Sequence, residues 1–404
     1  MKADREISYE VLRQEVTGLM RDLISIKSPY FNEEEIMAFV NDWFHKNRMN
    51  SYIHEYVDEK VTKFHGMNVV LDVRGGGPGP AIGLNGHLDT VKLCKGWTVG
   101  PYEGYIKDGN IYGVGALDMK SGCCAMMLAA KMFLNNHSHF DGRLLVTLVS
   151  DEEGPYGLGT NALIEDGLLN DIDFFLVGEP GAAFTEKPFP AVCLGARGGY
   201  GLEIEIFGKA AHAAVPENGM NALEDASKVI CALQSVSKLQ DPLLGKGALC
   251  VVGIESDGGA CSVPDYAKIK LFWHIVRGEN EVSILGELEA AVKQAGIECR
   301  HKISFREAPS EGSRGFMPYT VDADDEYVAA FFKSIEDICG EKPHIGYLQS
   351  IGDFNYLGSR LNAPVLIFGA DGMNLHSSDE YASIDSITKA AQTISNFLEK
   401  MLVK

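Results

Sequence analysis

The sequence predicts an α/β protein in which a mostly parallel-sheet domain is interrupted by a smaller domain with one exposed sheet face. Apolar runs such as Leu144–Val149 and Phe174–Val177 alternate with helical segments, the pattern of a parallel sheet covered on both sides. After about Ala191 the order becomes β-α-β-β-α-β, the split arrangement of a ferredoxin-like domain. From Tyr327 helix and strand alternate again. With 404 residues the chain is long enough for two or three domains. The predicted division is one domain built from 1–190 and 307–404, with 191–306 inserted at a surface loop.

Taken in order, Val11, Leu12, Val16, Leu19, Leu23 and Ile24 recur at helical spacing. Ile36, Val40, Trp43 and Phe44 do the same behind Asn32 as a cap. Strands are expected at Asn68–Val73 and Ala81–Leu84, separated by the turn chemistry of Gly75 to Pro80. A long helix runs from Lys120 to about Asn136. In the inserted part, Tyr200–Phe207, Ala248–Ile254, Ala267–Val276 and Glu298–Phe305 read as strands, and Asn221–Gln240 and Glu281–Ala295 as helices. Pro364–Phe368 reads as a buried strand and Ser383 to about Leu402 as a closing helix.

Lys and Arg number 36 against 56 Asp and Glu, a net charge of −20, so the surface field repels nucleic-acid phosphates and anionic lipid. No apolar run reaches the roughly 18 residues of a membrane span. Met1–Glu6 lacks the apolar stretch of a signal peptide, and nine Cys without any C-x-x-C indicate reduced thiols, so a cytoplasmic protein is expected. Gly113-x-Gly115 lacks the third glycine of a dinucleotide fingerprint, and Ser150 lies in no Gly-x-Ser-x-Gly elbow. His137 and His139 read as helix-end residues.

The chemistry-bearing residues gather just past the carboxyl ends of the expected strands, where open α/β sheets bind ligands. His87 and Asp89 follow one strand, Asp151, Glu152 and Glu153 a second, Glu179 a third, and His376 lies beyond the last; Asp118 stands at the entrance to the long helix. Each alone reads as a cap or a satisfied polar group. Together, two histidines and several carboxylates without a thiol form a ligand set suited to zinc, cobalt or manganese. Adjacent Glu152 and Glu153 would repel each other unless a dication lay nearby, which leaves one as ligand and one as base.

Five segments carry a resemblance: Asn85-Gly86-His87-Leu88-Asp89-Thr90-Val91, Gly113 to Gly122, Ser150-Asp151-Glu152-Glu153-Gly154, Val177-Gly178-Glu179-Pro180 and Leu375-His376-Ser377-Ser378-Asp379-Glu380. In order and spacing the chain resembles the acetylornithine deacetylase, succinyl-diaminopimelate desuccinylase and carboxypeptidase G family over nearly its whole length. The resemblance implies a zinc-peptidase-like catalytic domain with an inserted lid and dimerisation domain, and two divalent metals, with zinc expected, bridged by Asp118. His87 and Glu179 would complete one site, Glu153 and His376 the other; Asp89 would orient His87, and Glu152 would be the general base. His212, within the motif Gly208 to Leu223, would reach the partner subunit's site in a homodimer and stabilise the oxyanion. The resemblance also suggests a non-proline cis bond at Asp118-Met119.

Departures from the family fall on substrate recognition. Where many relatives have Asn-x-x-Pro and Asp-x-Arg, this chain has Cys261-Ser262-Val263-Pro264 and His274-Ile275-Val276-Arg277. A one-residue slip along a strand turns a side chain to the other face, so Arg277 does not inherit the family's carboxylate clamp outright. Arg277, Arg197 and Cys261 are the candidate substrate contacts. The expected activity is hydrolysis of the amide bond of a small N-acyl amino acid. The alternatives are an exopeptidase acting on di- or tripeptides, and a catalytically retired dimeric binding module.

Overall fold

The computed structural model describes residues 8–256 and 258–403; Met1–Glu6, on which the expectation of no signal peptide rests, lies outside them. Contacts divide the chain into two units, one of residues up to 196 with 319–348 and 352–404, the other of 197–318 with 349–351. Among the described residues no helix is long and apolar enough to cross a membrane.

Unit one opens with α1 (Tyr9–Ser25), started by the Ser8 side chain accepting the Val11 N–H and buried along Leu12, Val16, Leu19 and Leu23. Helix α2 (Glu34–Lys46) follows. Its N-cap is Glu33 and not Asn32; the Glu33 carboxylate does not cap the helix but accepts the N–H groups of Phe31 and Asp151. Next come β1 (Ser51–Val57), β2 (His65–Arg74), β3 (Gly77–His87), α3 (Ser121–Asn136), β4 (Asp141–Val149), α4 (Leu158–Glu165), β5 (Phe174–Val177) and β6 (Ala191–Ala196). Strand β1 went unforeseen because its burial is irregular and it carries polar His54 and Glu55. Helix α3 is buried on nearly all sides, which explains its Cys, Met and Ala composition without a polar stripe.

Unit two contains β7 (Gly198–Phe207), α5 (Ala222–Leu233), β8 (Ala248–Ser256), β9 (Tyr266–Ile275), α6 (Glu281–Ala295) and β10 (Arg300–Phe305). Its sheet order is β8-β9-β7-β10, antiparallel throughout. Residues alternate buried and half-buried along β9, and the inward set, including Ile269, Leu271 and Trp273, packs on Val229 of α5 and Leu288 of α6. Asn221 caps α5, and an Asn280–Ser283 capping box starts α6. Helix α5 ends at Leu233, short of the expected Gln240. Past Leu233 the amides of Gln234, Ser235 and Val236 turn to carbonyls three residues back and the helix closes; further on, the Asp241 carboxylate accepts the Leu243 and Leu244 N–H groups, closing a hairpin between Gln240–Asp241 and Gly245–Lys246.

The chain returns to unit one through β11 (Tyr319–Thr320), α7 (Glu326–Cys339), β12 (His344–Leu348), α8 (Phe354–Arg360), β13 (Val365–Ile367) and α9 (Ile384–Leu402). Its sheet runs β1-β2-β4-β3-β5-β13-β6-β11, with β12 beside β6. The centre, β4-β3-β5-β13, is parallel, and both flanks contain antiparallel pairs. The division between units falls at 196/197 and 318/319, not at 190/191 and 306/307. The reason is β6, which pairs with β12, β13 and β11 and so belongs to the larger sheet.

Candidate active site

Parallel β3, β4 and β5 end side by side, and the expected ligands leave from those ends. His87 is the last residue of β3. Its Nδ1 meets the Asp89 carbonyl oxygen at 3.0 Å, which places the ring proton on Nδ1 and turns the Nε2 lone pair inward. Nε2 lies 3.2 Å from Asp118 Oδ1 and 3.3 Å from Glu179 Oε1. On the other side, His376 Nε2 lies 3.3 Å from Asp118 Oδ2 and 2.9 Å from Glu153 Oε1. Asp118 therefore offers one oxygen to each histidine. Ligand atoms of His87, Asp118 and Glu179, and of Asp118, Glu153 and His376, lie within 4.8 Å of one another, two triads that share Asp118.

Asp118 sits in a tight turn, 116–120, that joins Gly115 to α3 and includes a cis peptide between Asp118 and Met119. Gly115 has φ +71°, and a Cβ there would lie 2.4 Å from the Thr90 side chain, so glycine is required. Buried Glu380 holds the turn by accepting three N–H groups, from Gly115 at 2.8 Å, Leu117 at 2.8 Å and Asp118 at 2.9 Å. Asp89 faces His87 Nδ1 with its backbone carbonyl and, at 3.6 Å, with its carboxylate Oδ1, and the same carboxylate accepts the Glu152 N–H at 3.1 Å and the Glu153 N–H at 2.8 Å. Glu152 Oε2 points back to within 3.8 Å of His87 Nε2, and its Oε1 accepts the Asp353 N–H at 3.1 Å.

Electrostatics separate these acids. Burial would raise Asp118, but hydrogen bonds from His376 and His87 overcome it and hold the carboxyl well below the usual range. Burial, with Asp118 alongside, pushes Glu179 up to about 8 and Glu153 up to about 6. Burial raises Glu152 well above the ordinary carboxyl value. Hydrogen bonds to Asp118 and Glu153 lift His376 to about 11. The two imidazoles do not balance this buried negative charge, and Glu179 Oε2 is buried without a hydrogen-bond partner among the described residues. An orphaned carboxylate oxygen, an inward imidazole lone pair and a carboxylate facing two ways fit divalent cations with nitrogen and oxygen ligands.

The other sequence candidates lie in unit two. His212 Nδ1 accepts the Ala214 N–H at 3.1 Å, so a neutral ring carries its proton on Nε2. Cys261 is exposed, and its carbonyl accepts the Ala213 N–H at 2.9 Å, next to a bridge between His212 and Ser262. Arg277, a candidate for a substrate carboxylate, is engaged by Asp241 through Nε at 2.7 Å and Nη2 at 3.1 Å. Arg197 Nε donates to the Leu244 carbonyl at 2.8 Å. Sequence reasoning assigned no role to Glu380, Asp353 or Glu33; Glu380 ended a quoted motif, but nothing in its spacing shows three amides converging on it.

Paired triads of carboxylate and imidazole groups at the carboxyl ends of central strands, beside a further glutamate, define the constellation of a metal-dependent hydrolase. Residues 83–400 match the model of Peptidase family M20/M25/M40, and the chain belongs to that family. It is 27% identical over 380 residues to the succinyl-diaminopimelate desuccinylase of Sulfurovum sp. (strain NBC37-1), covering 93% of this chain and 95% of that protein. Its fold is similar to a tripeptidase from Staphylococcus aureus, with TM-score 0.76, 19% identity and coverage of 96% and 98% of the two chains. It is similar also to an M20 family metallo-carboxypeptidase from Sulfolobus solfataricus, with TM-score 0.76, 17% identity and the same coverage.

Proposed function

We propose that this chain hydrolyses the amide bond of small N-acyl amino acids, with two divalent ions, zinc in the first instance, held by His87, Asp118 and Glu179 and by Asp118, Glu153 and His376. The observation that carries this is Asp118, whose two oxygens face His87 and His376 separately while Glu152 stands beside them. The desuccinylase relative, matched over almost the full length of both chains, supports an acylated amino acid over a peptide. When bound, such a metal pair lowers the pKa of water toward about 7 and polarises the scissile carbonyl. Glu152 takes the proton of the attacking water at Oε2 and delivers it to the leaving nitrogen as the C–N bond breaks, giving a carboxylate and an amine. His212, with its proton on Nε2, donates a hydrogen bond to the oxyanion, reaching the site of a second copy.

Unit two then serves as lid and dimerisation domain. Its β10 edge carries Arg300, His301 and Lys302, whereas β8 at the opposite edge exposes Val251, Val252 and Ile254. Charges guard an edge against pairing and an apolar edge invites it, so a second copy docks on β8. Val252→Lys should convert a sedimenting dimer to monomer. Nine free thiols support a cytoplasmic location. The direct test is amine release from a panel of N-acetyl and N-succinyl amino acids and dipeptides by zinc- or cobalt-loaded protein. Chelator-sensitive turnover of acyl amino acids is expected; turnover of dipeptides alone would reverse the substrate assignment, and silence of the metal-loaded protein across the panel would overturn the function.

A further inference from the structure

We propose that Thr160 and Asp353 form a buried clamp that orients Glu152, fixing Oε1 and leaving Oε2 as the oxygen that exchanges the proton; this rests on Glu152 acting as the base. The clamp is built from one side-chain bond and one backbone bond. Asp353, 3% exposed, precedes α8 and donates its N–H to Glu152 Oε1 at 3.1 Å. Its carboxylate Oδ2 accepts the hydroxyl of fully buried Thr160 at 2.5 Å. A carboxylate can only accept, so the single Thr160 hydroxyl proton is committed to Asp353. The Thr160 oxygen in turn lies 3.4 Å from Asn85 Nδ2, and Asn85 stands two residues before His87 on β3. Hydrogen bonds thus run from the strand that carries His87 to the carboxylate of Glu152.

The neighbouring backbone is shaped for this contact. A Cβ on Gly352 would lie 2.7 Å from Glu152 Oε1, so glycine lets the Asp353 amide approach, and the Gly352 N–H is itself held by Asn355 Oδ1 at 3.0 Å. Placing a second buried carboxylate beside Glu152 costs electrostatic energy that an apolar pair at 160 and 353 would not. A clamp gives that placement a purpose, since misplacing a reacting group by about 1 Å can cost on the order of 100-fold in rate.

The test compares Thr160→Val, which keeps the shape and removes the hydroxyl, with Thr160→Ser, which keeps the hydroxyl. In metal-loaded protein Thr160→Val should lower kcat by about 10–100-fold with KM within about twofold, at unchanged metal content, and Thr160→Ser should stay near wild type. Amide hydrogen exchange at Asp353, which needs no substrate, should quicken by about tenfold or more in Thr160→Val and not in Thr160→Ser. If Thr160→Val does not fold, Asp353→Ala, which keeps the backbone N–H to Glu152 but removes the acceptor of the Thr160 hydroxyl, should lower kcat in the same way and quicken exchange at the residue-353 amide. Equal losses in the Val and Ser variants, a kcat loss matched by metal loss, or unchanged Asp353 exchange would each overturn the clamp. Wild-type protein silent on every panel substrate would instead overturn the hydrolase assignment, and the exchange result would still decide the clamp.

Discussion

Glu380→Gln should loosen the bridging ligand without touching it. Glu380 is 3% exposed; Oε1 accepts the Leu117 and Asp118 N–H groups and Oε2 that of Gly115. Glutamine keeps the shape but has one acceptor end. If its carbonyl keeps Leu117 and Asp118, its NH2 group meets the Gly115 N–H donor against donor. One hydrogen bond to a charged group is lost, about 1.5–3 kcal/mol, and one buried N–H is left unsatisfied, about 1–3 kcal/mol, with partial relaxation bringing the sum to about 2–4 kcal/mol. For a unit of this size that lowers the melting temperature by roughly 3–7 °C. Asp118 then samples positions away from the bridge, and loss of such a support typically costs about 10–100-fold in metal affinity. Calorimetry gives the first quantity, and metal content after dialysis against buffered zinc the second. Turnover should fall with occupancy and return with excess zinc. A variant with wild-type melting and zinc affinity, or one that stays slow when fully loaded, would refute the positioning role of Glu380.

Glu152→Gln should cut kcat by about 10²–10⁴-fold while retaining metal, as measured by turnover alongside elemental analysis; substantial residual activity would remove Glu152 as the base. His212→Ala should lower kcat by about 10²–10³-fold with little change in metal content, and an unchanged kcat would reject the oxyanion role. Arg277→Ala should destabilise unit two by about 1–2 kcal/mol and leave KM nearly unchanged, because its guanidinium is engaged by Asp241. The pH dependence has a fixed sign. The Arg277 hydrogen bond holds the Asp241 carboxyl down at about 2 against an ordinary 3.8, so the stabilisation is present above about pH 4 and lost as pH falls through about 2. Melting curves of wild type and Arg277→Ala should therefore converge over that window, and a constant gap would contradict the pairing.

How much of this was legible in the sequence follows from what kind of signal each feature leaves. The strands Leu144–Val149 and Phe174–Val177 stand out as continuous apolar runs because both faces are buried, and the helix Glu281–Ala295 because one face is buried on the helical period. Strand β1 does not, since a polar edge needs no apolar pattern. The ligand set was legible because His and acidic residues directly after apolar strands are few, and the sheet topology brings strand ends together. Glu33, Glu380, Asp353 and Thr160 were not, because their partners are backbone amides or side chains distant in sequence. Acceptors of that kind have no spacing rule. Arg277 shows the converse: a charge near the right place in the sequence whose partner, Asp241, only the hairpin at 240–246 reveals.

Two of the missed residues, Glu33 and Glu380, share one physical logic with Asp89 and Asp379. Three consecutive amides, of Asp151, Glu152 and Glu153, each donate to a buried carboxylate, the first to Glu33 and the next two to Asp89. The Asp118 turn hangs on Glu380, and the His376 loop is tied to Thr98 through Asp379 Oδ1 and Oδ2, both at 2.8 Å. Loops must be held to within about 0.5 Å for a two-metal site to form, and a carboxylate accepting amide N–H groups holds backbone more tightly than a neutral acceptor. The same choice adds negative charge around Asp118, Glu153 and Glu179, which burial already penalises. Dications relieve that penalty, and the added charge enlarges what they relieve. Acidic anchors therefore do two things with one residue type: they fix the loops, and they make occupancy of the paired triads more favourable.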